Sequence, residues 1–230
     1  MVRVLPCLAG VVVLLTGIPA MADEVAPERS PLYMRLSLGA AYQFATDIDA
    51  DGTNLHYERM EALAGATSVV VGYGLDESLI LQADLFGTLV LPETVFDVWQ
   101  TSNGLAGFVD EDGNPVPNPN PVADVHPVRF VALGLGATWY PVGGGVWTSL
   151  SAGPMFGVVG TGDEHGTTRS LGLGAHVAVG YEWSPWEALG LGLAADYMLA
   201  YDEDDLKEVA NDMHFDAHAI GLHLTLVPRM

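Results

Sequence analysis

The sequence predicts an all-β protein, an eight-stranded antiparallel up-and-down transmembrane β-barrel, on three observations. Apolar residues recur at every second position in eight separate stretches, the period of a strand with one apolar face. The connections between these stretches alternate between short and long. The interleaved residues are mainly Gly, Ala, Ser and Thr, whereas a surface turned to water carries roughly 25–35% charged residues.

The first element is a cleaved export signal over residues 1–22. It has a single Arg3, an apolar run over 4–15, then Thr16, Gly17, Pro19 and an Ala20-Met21-Ala22 cleavage site, in the order such signals follow. The run is too short to cross a bilayer as a helix, which needs roughly 20 residues. Residues 23–31 are then a short periplasmic segment, and 32–230 are the barrel. Cys7, the only cysteine, falls within the signal, so the mature fold has no disulfide to rely on.

Strand one is expected over 32–44, where Leu32, Met34, Leu36, Leu38, Ala40, Tyr42 and Phe44 alternate with Tyr33, Arg35, Ser37, Gly39, Ala41 and Gln43. Residues 66–74 and 79–90 pair around the turn at 75–78. Residues 128–140 and 146–159 pair around the glycine-rich turn at 141–145, and residues 170–183 and 188–200 around 184–187. The eighth strand, 214–227, shows a phase slip: Phe215, Ala217 and Ala219 lead the apolar series first, then Leu222, Leu224 and Leu226. That predicts a bulge at 218–220. The long connections, 45–65, 91–127, 160–169 and 201–213, all fall at one end and hold most of the acid.

Composition narrows the partners. The chain has 8 Lys plus Arg against 29 Asp plus Glu, a formal charge of −21. Nucleic acid is therefore not an expected partner, since phosphate binding needs basic clusters. Half the residues are apolar, so the acid and the apolar material must be segregated, as the loop assignment makes them.

Periodicity alone leaves open whether the apolar side faces the lumen, as in a soluble lipocalin-like barrel, or the surroundings. The small-residue face decides for the latter: it suits a narrow lumen, and Leu and Val suit acyl chains. Tyr73, Trp139, Tyr140, Trp147, Tyr181, Trp183 and Trp186 fall beside the short turns, and Tyr42, Phe44, Phe156, Tyr197 and Phe215 near the other rim. Such positions predict interfacial aromatic girdles. Closure is required because an open edge in hydrocarbon leaves backbone groups unsatisfied.

On these features the chain resembles the small eight-stranded outer-membrane barrels of the OmpX, OmpW and OmpA transmembrane-domain type. The resemblance implies an outer-membrane location, termini and short turns in the periplasm, long loops outside the cell, a monomer, and assembly by the barrel-assembly machinery. The final residues, LVPRM, depart from the aromatic terminus usual in such proteins.

Two constellations could carry chemistry. DIDADGTNLHYE at 47–58 matches a twelve-residue calcium loop. Asp47, Asp49 and Asp51 would supply side-chain oxygens, Thr53 a backbone carbonyl and Glu58 a bidentate carboxylate. Without flanking helices, the expected affinity is in the weak range of about 10⁻⁴ to 10⁻³ M; the same residues also read as a plain acidic loop. In the lumen, Arg35, Asp84, His176, Glu182, Asp196 and His223 are expected to form a buried polar network that plugs the pore, with His176 and Asp196 facing each other near the outer half. The many inward glycines leave room for a narrow solvated passage instead. His214, Asp216 and His218 share a strand face and would meet solvent at the rim. No G-x-S-x-G or H-E-x-x-H motif occurs, and an enzyme is not expected. The function predicted is structural or surface-interacting, with acidic loops reaching outer-membrane lipids and lipopolysaccharide through divalent cations; the alternative is a narrow passive channel for small or apolar solutes.

Overall fold

A computed structural model of the chain describes residues 31–50, 56–99, 128–141, 145–160, 167–186, 188–202 and 213–228. These form β1 Leu32–Ala50, β2 His56–Gly74, β3 Leu79–Trp99, β4 Val128–Trp139, β5 Val146–Gly160, β6 Thr167–Trp186, β7 Leu189–Asp202 and β8 Met213–Pro228. Each strand pairs antiparallel with the next, and β8 returns to β1 to close the barrel. Every strand thus has two neighbours, and no edge is left to be solvated.

Alternation along each strand sorts side chains to two environments. On β1, Tyr33, Arg35, Ser37, Ala41 and Gln43 are buried, while Leu32, Met34, Leu38 and Tyr42 are exposed. The same split runs round the wall, to the point that Leu135 is 75% and Leu222 73% exposed. A continuous outward belt of Leu and Val far exceeds the apolar patches tolerated in water. It matches the lipid-facing band of a transmembrane barrel.

Four sequence expectations change. β1, β2 and β3 run further at the long-loop end than the alternation implies: Ile48 still pairs with Tyr57, and Glu61 with Asp97. In these extensions the strict alternation of apolar and polar residues stops while backbone pairing continues. Between β2 and β3 the register jumps from Ala62↔Val95 to Ala64↔Val90. Residues 91–94 are thereby extruded around Pro92, which has no N–H to give the ladder.

The expected bulge at 218–220 is absent. β8 pairs regularly with β7 from Asp216 to Pro228, and Phe215, Ala217, Ala219, His223, Thr225 and Val227 all face the lumen in one phase. The apparent slip arises because the lumen is itself apolar at that height, so hydrophobicity stops reporting which face is which. Near the opposite end β6 carries an irregularity between Trp183 and Trp186, so it extends through the residues expected to turn.

The girdle is also smaller than expected. Tyr73, Trp139, Trp183 and Trp186 are exposed on the outer wall, but Tyr140 and Trp147 are buried inside. Tyr42 and Phe156 are exposed at the other rim, whereas Phe215 is fully buried in the lumen. Position parity explains all three: Tyr140 lies in phase with Thr138, Trp147 with Ser149 and Ser151, and Phe215 with His223.

The short turns are fixed by local chemistry. Asp76 accepts from Ser78 N at 2.7 Å, Ser78 Oγ at 2.8 Å and Leu79 N at 2.9 Å. These bonds, the Ser78 hydroxyl first, hold its carboxyl below the usual carboxylate range. Gly145 has φ of 64°, and a Cβ there would lie 2.1 Å from Glu182 O, so both the turn conformation and the close approach require glycine.

Candidate functional site

The lumen is built in two layers. Toward the short turns its lining is polar and aromatic; toward the long loops it is mainly apolar, with Gln43 donating to Val128 O at 2.9 Å and Thr88 and Ser170 buried among the apolar side chains. An interior enclosed by eight strands is just wide enough for side chains to fill it.

At mid-height Asp84 of β3 is the centre of the polar layer. It accepts from Ser68 Oγ at 2.7 Å and Ser151 Oγ at 2.8 Å, and lies 2.7 Å from His176 Nδ1. The other ring nitrogen, His176 Nε2, is 3.1 Å from Asp196 Oδ2. His223 Nε2 comes within 3.0 Å of the same oxygen, but without the alignment of a hydrogen bond, and both its ring nitrogens remain without hydrogen-bond partners. A ring placed between two carboxylates satisfies both when it carries both protons. The expected His176–Asp196 contact is therefore present, but at mid-barrel. It is diagonal, since Asp196 pairs with Ala178 and His176 with Met198.

Arg35 and Glu182 lie nearer the short turns. The Arg35 guanidinium carbon sits 3.7 Å from the centroid of the Trp147 ring, a cation–π contact, and Nη1 donates to Tyr33 Oη at 3.4 Å. Tyr33 and Tyr140 hydroxyls are 3.2 Å apart, and Tyr140 donates to Glu182 at 3.2 Å. Gln82 Nε2 donates to Ser149 Oγ at 2.8 Å, and Thr138 donates to Gln82. All six residues expected to form the lumen network are buried there. Four of them, Asp84, His176, Asp196 and His223, are brought together, and Arg35 reaches that group across a small void.

Sequence reasoning did not single out Trp147, Tyr33, Tyr140, Ser68 or Ser151 as network members. Their phase along the strands, shared with Arg35, Ser37 and Ser149, was the available signal.

Above the polar layer Met60, Phe86, Val90, Val128, Phe130, Met155, Met198 and Phe215 form one apolar cluster with the alanines of β1, β2, β7 and β8. The inward glycines are sockets for these rings. A Cβ on Gly157 would fall 2.3 Å from the Phe215 ring, and one on Gly174 2.5 Å from Ala132 Cβ and 3.3 Å from Phe86. In the polar layer Gly180 receives the Trp147 ring at 2.4 Å, and Gly221 receives Asp196 at 2.3 Å. The space opened by each of these glycines is occupied: Trp147 and Asp196 are the register partners of Gly180 and Gly221 on the neighbouring strands, while Phe215 reaches Gly157 from β8, three strands away. Between Arg35, Trp147, His176, Asp196 and His223 the remaining void is about 10 Å³, room for about one water.

The calcium-loop residues fall differently. Asp47 and Asp49 belong to β1 and Glu58 to β2, with Asp49 paired to His56; Asp51 and Thr53 lie outside the described residues, as do residues 1–30 and the acidic stretches 110–114 and 163–165. Among the described residues no group of three or more His, Cys, Asp or Glu is placed to hold a metal ion. On the outer face, His218 stacks on Phe44 with centroids 4.7 Å apart and its Nδ1 meets Tyr197 Oη at 2.5 Å. It is half-buried in an aromatic cluster rather than free at the rim.

A closed, lipid-facing barrel with a packed lumen defines the class: a small integral β-barrel of the outer-membrane type. The chain is similar to several solved structures at low identity. Neisserial surface protein A is 12% identical, covering 87% of this chain and 98% of its own, at a TM-score of 0.48. Ail, the attachment invasion locus protein of Yersinia pestis, is 10% identical over 85% and 99%, at 0.42. OprG from Pseudomonas aeruginosa is 9% identical over 90% and 99%, at 0.43. No protein-family model and no curated protein sequence matches the chain.

Proposed function

We propose that this chain is an outer-membrane barrel with a non-conducting lumen and a structural or surface-interaction role carried by its acidic long loops. The observation that carries the reading is the filled lumen. Rings seated on Gly157, Gly174 and Gly180 close it, and the void beside Arg35 is only about 10 Å³. An ion crossing this path would have to displace Arg35 from Trp147 and part the Asp84–His176–Asp196 chain. In planar bilayers the protein is expected to stay silent through repeated insertions; stepwise ohmic conductance would overturn the reading.

The competing reading, a narrow passive channel for small or apolar solutes, draws support from the apolar lining of the long-loop half. Liposome swelling with solutes of graded polarity separates the two, since only a channel gives uptake above that of empty vesicles.

The loops are the second part of the proposal. Their excess of acid repels lipopolysaccharide phosphates directly, so contact runs through bridging divalent cations. Calcium held by Asp47, Asp49, Asp51, Thr53 and Glu58 is the specific form of that idea. Terbium luminescence, competed by calcium, should fall in Asp49→Ala and Glu58→Ala; an unchanged signal in both removes this site.

A further inference from the structure

Two of the few arginines in this acidic chain stand side by side on the outer wall. Arg129 of β4 is in register with Val158 of β5, and Val158 with Arg169 of β6. With strands about 4.8 Å apart, the two Cα atoms are roughly 10 Å from each other, so the long side chains can meet on one group between them. Both point away from the lumen, since Val128, Phe130 and Ser170 beside them are buried inward. Arg129 is anchored by its Nε, which donates to Val90 O at 3.0 Å. That bond leaves both terminal nitrogens of the fork for another acceptor. Arg169 is exposed, and no carboxylate among the described residues pairs with either guanidinium.

Their height is informative. Two residues nearer mid-barrel the same strands present Val131, Phe156 and Leu171, again in register, 43%, 38% and 42% exposed. The wall therefore changes from apolar to cationic over about 7 Å of strand, with an aromatic residue at the boundary. In a bilayer that is where acyl chains give way to phosphates. The far side of the barrel differs at its rim, where Glu61 of β2 accepts a hydrogen bond from Tyr42. With 8 basic residues against 29 acidic ones, adjacent arginines unpaired with any carboxylate among the described residues run against the composition.

We propose that Arg129 and Arg169 clamp the phosphate of an anionic lipid in the leaflet at the long-loop end, with Val131, Phe156 and Leu171 lying along its acyl chains. Guanidinium forks match phosphate oxygens bidentately and are weakly hydrated, so they serve better here than lysines. The inference rests on the transmembrane placement. It differs from cation bridging by the loops, since this contact is direct and needs no metal.

The test uses the full chain in detergent, with diphosphoryl lipid A, its dephosphorylated form and inorganic phosphate as probes, read by native mass spectrometry in the presence of a chelator. Arg129→Gln and Arg169→Gln should each weaken diphosphoryl lipid A binding about five-fold, and the double variant roughly thirty-fold. Dephosphorylated lipid A should bind the unaltered protein as weakly as the diphosphoryl form binds the double variant. Undiminished binding by the double variant, or equal binding of both lipids, overturns the clamp. Displacement by millimolar inorganic phosphate overturns the lipid assignment. If Arg129→Gln fails to fold, Arg169→Gln at its exposed position decides alone. Heat-dependent gel mobility and vesicle insertion of the unaltered protein are read alongside. Failure there removes the membrane placement itself, whereas normal insertion with unselective binding removes only the clamp.

Discussion

The two halves of the lumen close the same barrel by opposite physics. In the half toward the short turns, polar groups are held by specific partners: Asp84 by Ser68, Ser151 and His176, and Arg35 by Trp147 and Tyr33. Near the long loops, Phe86, Phe215 and the methionines pack against alanine and glycine walls. The polar half depends on partners and direction, so it fails when one member is removed. The apolar half depends on volume, so it fails when space is added or taken away.

The largest expected break is in the polar half. Asp84→Ala should destabilise the barrel by about 3–5 kcal/mol, because it strands His176 and two hydroxyls in a buried site; urea titration in lipid vesicles measures it. Asp84→Asn, which keeps acceptor and shape, should cost clearly less. If the two variants are equal, volume rather than charge governs this layer and the contrast between halves is lost.

In the apolar half, Gly157→Ala should cost roughly 1–3 kcal/mol by overpacking the Phe215 ring. Combining it with Phe215→Leu should recover part of that loss, since the two share one space. Strict additivity of the pair would show that the socket is not filled as described.

Trp147→Leu should remove the contact to Arg35 and cost about 0.5–2 kcal/mol. The same residue offers an optical check. Brominated lipids should quench Trp139, Trp183 and Trp186, exposed on the wall, whereas the emission lost in the Trp147 variant should belong to a fraction they leave unquenched. The smallest effect is outside both halves, at the Asp76 turn. Its carboxyl is held below the ordinary range, so its contribution is present above the unfolded-state pKa and fades as pH falls through the lowered folded-state value. Asp76→Asn should flatten only that acidic limb of the stability profile.

The sequence was most legible where one face was apolar and the other was not. Strand number, order and the outward belt were read from alternation, and so was the inward position of Arg35, Asp84, His176, Glu182, Asp196 and His223. It was least legible where the two faces converge in chemistry. At Phe215, Ala217 and Ala219 an apolar lumen erased the phase and suggested a bulge at 218–220 that β8 does not have. At Tyr140 and Trp147, nearness to a turn outweighed parity, and the residues were assigned to the girdle instead of the interior. The network itself was only partly readable, since Ser68, Ser151 and Tyr33 gain their roles from strands distant in the chain. Asp84 is in register with Val70 and Gly134, but not with His176, and only barrel closure brings their side chains together.

The seating of rings on glycine has a consequence for engineering. Because glycines stand against the rings of Phe215, Phe86 and Trp147, trimming those three rings to alanine would vacate three pockets that no wall side chain refills. Methionines and the Asp84–His176–Asp196 chain would still span the bore between them, so a conduit cut from this scaffold needs changes in both halves.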